Sequence, residues 1–147
     1  MADKLNLIIQ DGEDLQIVSA HLQDAIARVG DITFIPGERR FALMFNRFRW
    51  EVAADDTFER VRTGLHFDDV SAAKVNGISR ANGDAVLELL SIGFDEKEAP
   101  AGELTLTFAG GGAIRLNVDC IEGLMRDVSD PWPAKTRPEH ALDDAGE

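Results

Sequence analysis

Four arginines and four aromatic rings fall within the twelve residues RRFALMFNRFRW, positions 39–50. Guanidinium groups gathered on one surface bind phosphate or carboxylate through paired, charge-assisted hydrogen bonds. Arg47 and Arg49 stand two apart, as do Arg60 and Arg62 after a short loop, and His66 keeps the parity of the second pair. If both segments are strands that pair through the loop AADDTF, these side chains can collect on one sheet surface. Arg47, Arg49, Arg60, Arg62 and His66 are therefore the candidate anion-binding set. The favoured competing reading is a solvated strand face. Glu51, Asp55, Asp56 and Glu59 lie between the arginines and can neutralise them, and exposed ion pairs contribute only about 0–1 kcal/mol.

Other stretches offer weaker chemistry. His66, Asp68 and Asp69 are possible metal ligands, but a complete site needs three or four, and His21 would have to arrive from elsewhere. Cys120 stands where a helix is expected to begin, which can lower a thiol's pKa, yet no motif pairs it with a histidine. A small packed cysteine is the favoured reading. AGGGA at 109–113 joins two alternating segments, so it reads as a hairpin turn, whereas a phosphate loop feeds a helix. No nucleophile elbow, Walker, paired-histidine zinc, paired-cysteine or dinucleotide fingerprint occurs. No cofactor and no metal is expected, the catalytic residues are unknown, and whether the chain is an enzyme stays open.

The bulk composition narrows the class. The chain has 147 residues, enough for one domain with its own core. Its 27 acidic and 15 basic side chains give a net charge of −12, which disfavours general nucleic-acid binding. The apolar runs are too short to cross a bilayer, and the N-terminus lacks a signal-peptide pattern. A single cysteine leaves no internal disulfide, so a cytoplasmic protein is expected.

These residues need elements to position them. Leu15, Val18, Leu22, Ile26 and Val29 recur at helical spacing, with Asp11 as N-cap and Gly30 as a stop; alternatively the helix ends near Asp24 and 24–30 start a strand. DITFI and FALMFNRFRWE read as a hairpin across PGERR. Phe41, Leu43 and Phe45 share one parity while Phe48 and Trp50 take the other, so a β-bulge near Asn46 is expected, sending Arg47 and Arg49 to solvent. RVRTGLHF and DDVSAAKVNGI follow as strands. Asn82-Gly83 reads as a hairpin turn, and AVLELLSIGF as a well-covered central strand. ELTLTF and AIRLNV alternate cleanly. DCIEGLMRDV places Ile121, Leu124, Met125 and Val128 at helical spacing, with Asp119 and Glu122 at capping-box spacing. From residue 131 the proline-containing acidic stretch reads as a flexible tail to 147.

The expected fold is therefore α+β: about seven antiparallel strands in a bent sheet or small barrel, with an N-terminal helix and a C-terminal capping helix. Pleckstrin-homology-like domains share that plan, an analogy of fold that names no ligand. The expected organisation is one globular domain over 1–130 and a tail over 131–147.

SAHLQDAI, RRFALMFNRFRWE and AIRLNVDCIEGLMRDV, in that order, resemble DUF2948, an uncharacterised bacterial family. The resemblance covers residues 5 to about 132 and implies no activity, cofactor or catalytic residue. The function expected is a non-enzymatic binding or adaptor domain with a protein partner or a second copy of itself, and no membrane partner. The alternative is a small-anion or metabolite binder, or an enzyme, with its site around the strand arginines.

Overall fold

Asp11 caps the first helix as its position predicts: its Oδ1 accepts the Asp14 N–H at 2.8 Å. The structure is a computed structural model and describes residues 4–138. The helix, α1 (Gly12–His21), follows a short strand, β1 (Asn6–Ile9). It buries Leu15 and Val18, and its C-cap, Leu22, is buried as well, but it stops there. Asp24 takes a left-handed φ of 63° and turns the chain into β2 (Ile26–Arg28), so the shorter helix is the one that forms.

The next strands are β3 (Ile32–Ile35) and β4 (Arg40–Phe48), the expected hairpin, then β5 (Glu59–Phe67) and β6 (Val70–Asn76). They are followed by β7 (Val86–Glu98), β8 (Ala101–Phe108), β9 (Ala113–Val118), β10 (Gly123–Asp127) and β11 (Trp132–Pro133). All pairings are antiparallel and join into one sheet, ordered β1-β10-β5-β4-β2-β7-β8-β9-β6, with β11 on β5 and β3 on β4. The narrow link is β2, which meets β4 only at Ile26↔Asn46 and then runs along β7. The inner faces on either side of it, together with α1, enclose a single apolar cluster.

Several expectations are overturned. The fold is not α+β with a capping helix: eleven strands form one open antiparallel sheet, α1 is the only α-helix among the described residues, and the pleckstrin-homology-like plan fails with the missing C-terminal helix. DCIEGLMRDV forms β10 instead. Its period of two was hidden because two of the three inward positions are not apolar: Gly123, Met125 and Asp127 are buried, while Leu124 and Arg126 face outward. Gly123 is needed there, since a Cβ would lie 2.5 Å from the His66 carbonyl oxygen.

The bulge expected near Asn46 is absent. The β4–β5 register runs unbroken from Phe41↔Phe67 to Phe48↔Arg60. Asn82-Gly83 makes a turn, with Asp84 N–H donating to Asn82 Oδ1, but the strands flanking it do not pair with one another. On β7, Val86 and Leu90 are exposed, so that strand is central in order yet covered on one face only. AGGG makes the β8–β9 hairpin turn, with Gly110 and Gly111 both at positive φ. Within the stretch expected as a tail, β11 pairs with β5 and Ala134 N–H donates to the Phe58 carbonyl; residues 139–147 lie outside the described residues.

Candidate functional site

The arginine set divides between the two faces of the sheet. On β4, Phe41, Leu43, Phe45 and Arg47 form one uninterrupted inward row, and Arg47 is fully buried. Arg49 is buried as well. The expectation that both point to solvent is therefore wrong. Parity never switched: a charged residue occupies a core position, and Phe48 is buried from the opposite side against Trp50 and Phe58.

Arg47 is tolerated inside because every one of its five N–H donors is used. Nε and Nη2 donate to the two oxygens of Asp127 at 2.9 and 2.8 Å. Nη1 and Nη2 donate to Glu51 at 2.9 and 2.8 Å, and Nη1 also reaches the Phe48 carbonyl at 3.3 Å. Asp127 further accepts the Leu5 N–H at 2.9 Å and the Thr63 hydroxyl at 2.8 Å. Arg49 donates to Glu59, and His21 Nδ1 lies 3.7 Å from Glu51. Burial pushes the Asp127 and Glu51 carboxyls up, but the Arg47 hydrogen bonds and charge outweigh it and hold both below the usual range. The guanidinium is raised for the same reason. A cation saturated in this way has no donor left for a ligand. Its work is structural, tying β10, β5, β4 and the segment before β1 together.

Arg60, Arg62 and His66 lie on the outer face of β5. Arg60 donates to the Asn46 carbonyl. Arg62 bonds Asn46 Oδ1 at 3.2 Å and Asp31 at 3.1 Å. His66 stands 3.5 Å from Asp68, which also accepts from Arg40 Nε at 2.8 Å. Burial and the Arg40 charge depress the His66 pKa despite Asp68, so its imidazole is neutral at neutral pH.

Two residues not foreseen complete this face. Leu124 and Arg126 of β10 pair with His66 and Gly64 of β5, and on the far side with Ile8 and Asn6 of β1. Arg126 is exposed, with no side-chain hydrogen bond or ion pair among the described residues. Gly64 leaves the centre of the face without a side chain. Around it Arg40, Met44, His66, Leu124, Arg126 and Val128 border an open groove of about 360 Å³. No sequence signal pointed to Arg126 while its segment read as a helix.

The outward positions of β1, β10, β5 and β4 include no aspartate or glutamate. Across the sheet, the outward positions of β7 and β8 include Asp95 and Glu103. Carboxylates reach this face only from its borders, Asp68 beside His66 and Arg40 and Asp31 beside Arg62, and the face exposes apolar groups, Ile8 at 65% and Val128 at 44%.

The Cys120 and histidine candidates also resolve. The strand at 123–127 leaves no helix N-terminus to lower the Cys120 thiol. Burial and then Asp69, Glu122 and Asp119 raise it, so it is not an activated nucleophile. His66 and Asp68 do meet, but His21 lies by Glu51. Among the described residues the three-donor group that does converge is Asp69, Cys120 and Glu122, with ligand atoms within 4.8 Å of one another.

Fold and face together define an antiparallel β protein with one N-terminal helix, a saturated internal ion network and an open cationic and apolar sheet surface. No helix among the described residues is long and apolar enough to cross a membrane. The model of a family described as proteins of unknown function, DUF2948, matches residues 5–140, and the chain belongs to that family. No curated protein and no solved structure matches it.

Proposed function

We propose that this chain is a non-enzymatic binding domain that takes an acidic protein segment on the outer face of β1, β10, β5 and β4. One observation carries the reading: in a chain of 27 acidic residues, that face has no outward carboxylate on its four strands and exposes Arg126, which has no hydrogen-bond or ion-pair partner among the described residues. Surfaces that combine apolar anchors with an arginine suit protein partners. The net charge of −12 supports a protein segment over a phosphate backbone, which needs broad positive potential. Work in a bacterial cytoplasm rests on the family resemblance and on the single cysteine.

The test is fluorescence anisotropy with a labelled peptide of alternating valine and glutamate, beside a matched valine–lysine peptide. The glutamate peptide should bind, weaken with added salt, and lose binding in Arg126→Glu. Equal binding of both peptides, or none, overturns the reading.

A second reading is a small carboxylate or phosphate ligand, favoured by Arg40, His66 and Arg126 bordering one groove. Citrate or phosphate should then raise the melting temperature at low salt, and Arg126→Gln should abolish the response.

A further inference from the structure

The terminal strand of the sheet bears on how such a segment is held. Among the described residues β1 has a neighbour on its β10 side only. Asp127 N–H donates to the Leu5 carbonyl while the Leu5 N–H donates to the Asp127 carboxylate, so these two opposed residues turn their backbone groups toward each other. Such pairs alternate along antiparallel strands. Leu7 and Ile9 therefore turn their backbone groups toward β10, and Asn6 and Ile8 turn theirs to the open side. Two N–H and two C=O groups stand in a row without a strand partner.

Sheets usually guard such an edge with a bulge, a lysine or a proline. The other strands with one neighbour follow that rule. On β6 there is a register shift between Val70 and Ala72, and Lys74. Pro36 directly follows β3, and β11 contains Pro133. Asn6–Ile9 has none of these devices, and Ile8 is among the most exposed large apolar residues of those described.

We infer that β1 is a docking edge and that the acidic segment proposed above binds by adding a strand to it. This rests on the binding-domain reading and specifies its geometry. Added strands take affinity from main-chain hydrogen bonds and specificity from alternate side chains. A strand beside β1 puts one set of side chains on the outer face, near Arg126 opposite Asn6 and near Lys4, whose Asp130 contact is exposed. Acidic residues fit that row. The other set falls beside half-buried Leu5 and Leu7, which accept apolar residues. A second copy of this chain fits worse. Pairing β1 with its own copy would join two chains of net charge −12.

The experiment uses the full chain and the labelled valine–glutamate peptide, with two further peptides N-methylated on alternate amides in opposite phase. N-methylation removes backbone donors and keeps every side chain and charge. One phase should bind about ten-fold or more weakly, as expected for losing two hydrogen bonds, and the other should bind as the parent does. Ile8→Pro removes the outward N–H without touching the β10 pairing. It should weaken binding similarly while the melting temperature holds. If Ile8→Pro does not fold, the two peptides decide alone. Equal binding of both methylated peptides, with loss in Arg126→Glu, overturns strand addition and leaves the face reading standing. Absence of binding in every case overturns both. A concentration-dependent dimer that Ile8→Pro dissociates, with no peptide binding, makes the occupant a second copy and overturns the acidic segment.

Discussion

The two halves of the sheet obey opposite rules. In β8 and β9 the inner face is wholly apolar, with Leu104, Leu106, Phe108, Ile114, Leu116 and Val118, and the outer face carries Thr105, Thr107, Arg115 and Asn117. In β1, β10, β5 and β4 the inner face admits Thr63, Arg47 and Asp127, and the outer face shows Ile8, Leu124 and Met44. The first half is a strand pair whose pattern follows from burial alone. The second has exchanged some of its polarity between faces. That costs stability in the core unless every polar group is paired, which the Arg47 network achieves. It also leaves apolar surface in water, which is where proteins place interfaces. Departures from the simple pattern thus mark both the clamp and the candidate site.

The largest loss of stability is expected at Asp127. Asp127→Ala leaves Arg47 buried with one of its two carboxylate partners and frees the Leu5 N–H and the Thr63 hydroxyl. Urea denaturation should show a loss of about 3–5 kcal/mol; a loss under about 1 kcal/mol would mean the network is incidental. A pH series sharpens this. Asp127 and Glu51 titrate below their ordinary values when folded, so the unfolded chain binds more protons in the acid range. Their stabilisation is complete above the unfolded carboxylate range, near pH 4, and is lost as pH falls through it toward the folded values. Stability of the wild type should fall on that side, and Asp127→Ala should show a shallower fall.

Leu106→Ala tests the orthodox half. It removes a fully buried side chain and should cost about 2–5 kcal/mol. Unlike Asp127→Ala, it should leave the acid dependence of stability as in the wild type. Leu124→Ala is expected to be mild. A capping helix would have buried this residue, whereas on β10 it is half-exposed on the outer face, so the loss should stay near or below about 1 kcal/mol. Equilibrium denaturation that returned the larger value would place Leu124 in the core after all.

Arg126→Glu should have the smallest effect on stability, within about 0.5 kcal/mol, because that exposed side chain makes no hydrogen bond or ion pair among the described residues. Its effect on acidic-peptide binding should nonetheless exceed that of Thr105→Glu on the opposite half. His66 adds a titration. Its depressed pKa keeps it neutral at neutral pH, so anisotropy should report tighter binding of the acidic peptide as pH falls below the ordinary histidine range. Arg40 and Asp68 also face this ring, and loss of the pH dependence in His66→Gln would assign it.

Sequence alone determined the N-cap at Asp11, the β3–β4 and β8–β9 hairpins, and the inward rows Leu104-Leu106-Phe108 and Ile114-Leu116-Val118. These are local: spacing, turn residues and a cap act within a few positions of one another. Three outcomes needed the folded chain. Where α1 ends depended on Asp24 turning Ile26–Arg28 onto β7. Gly123–Asp127 became a strand because β5 and β1 offered it two edges, although its apolar residues also fit a helix. Arg47 went inside because Asp127, eighty positions away, supplied the carboxylate that makes a buried guanidinium tolerable. A side chain's polarity is encoded in its own position, but the partner that satisfies it is encoded elsewhere, and only tertiary structure brings the two together.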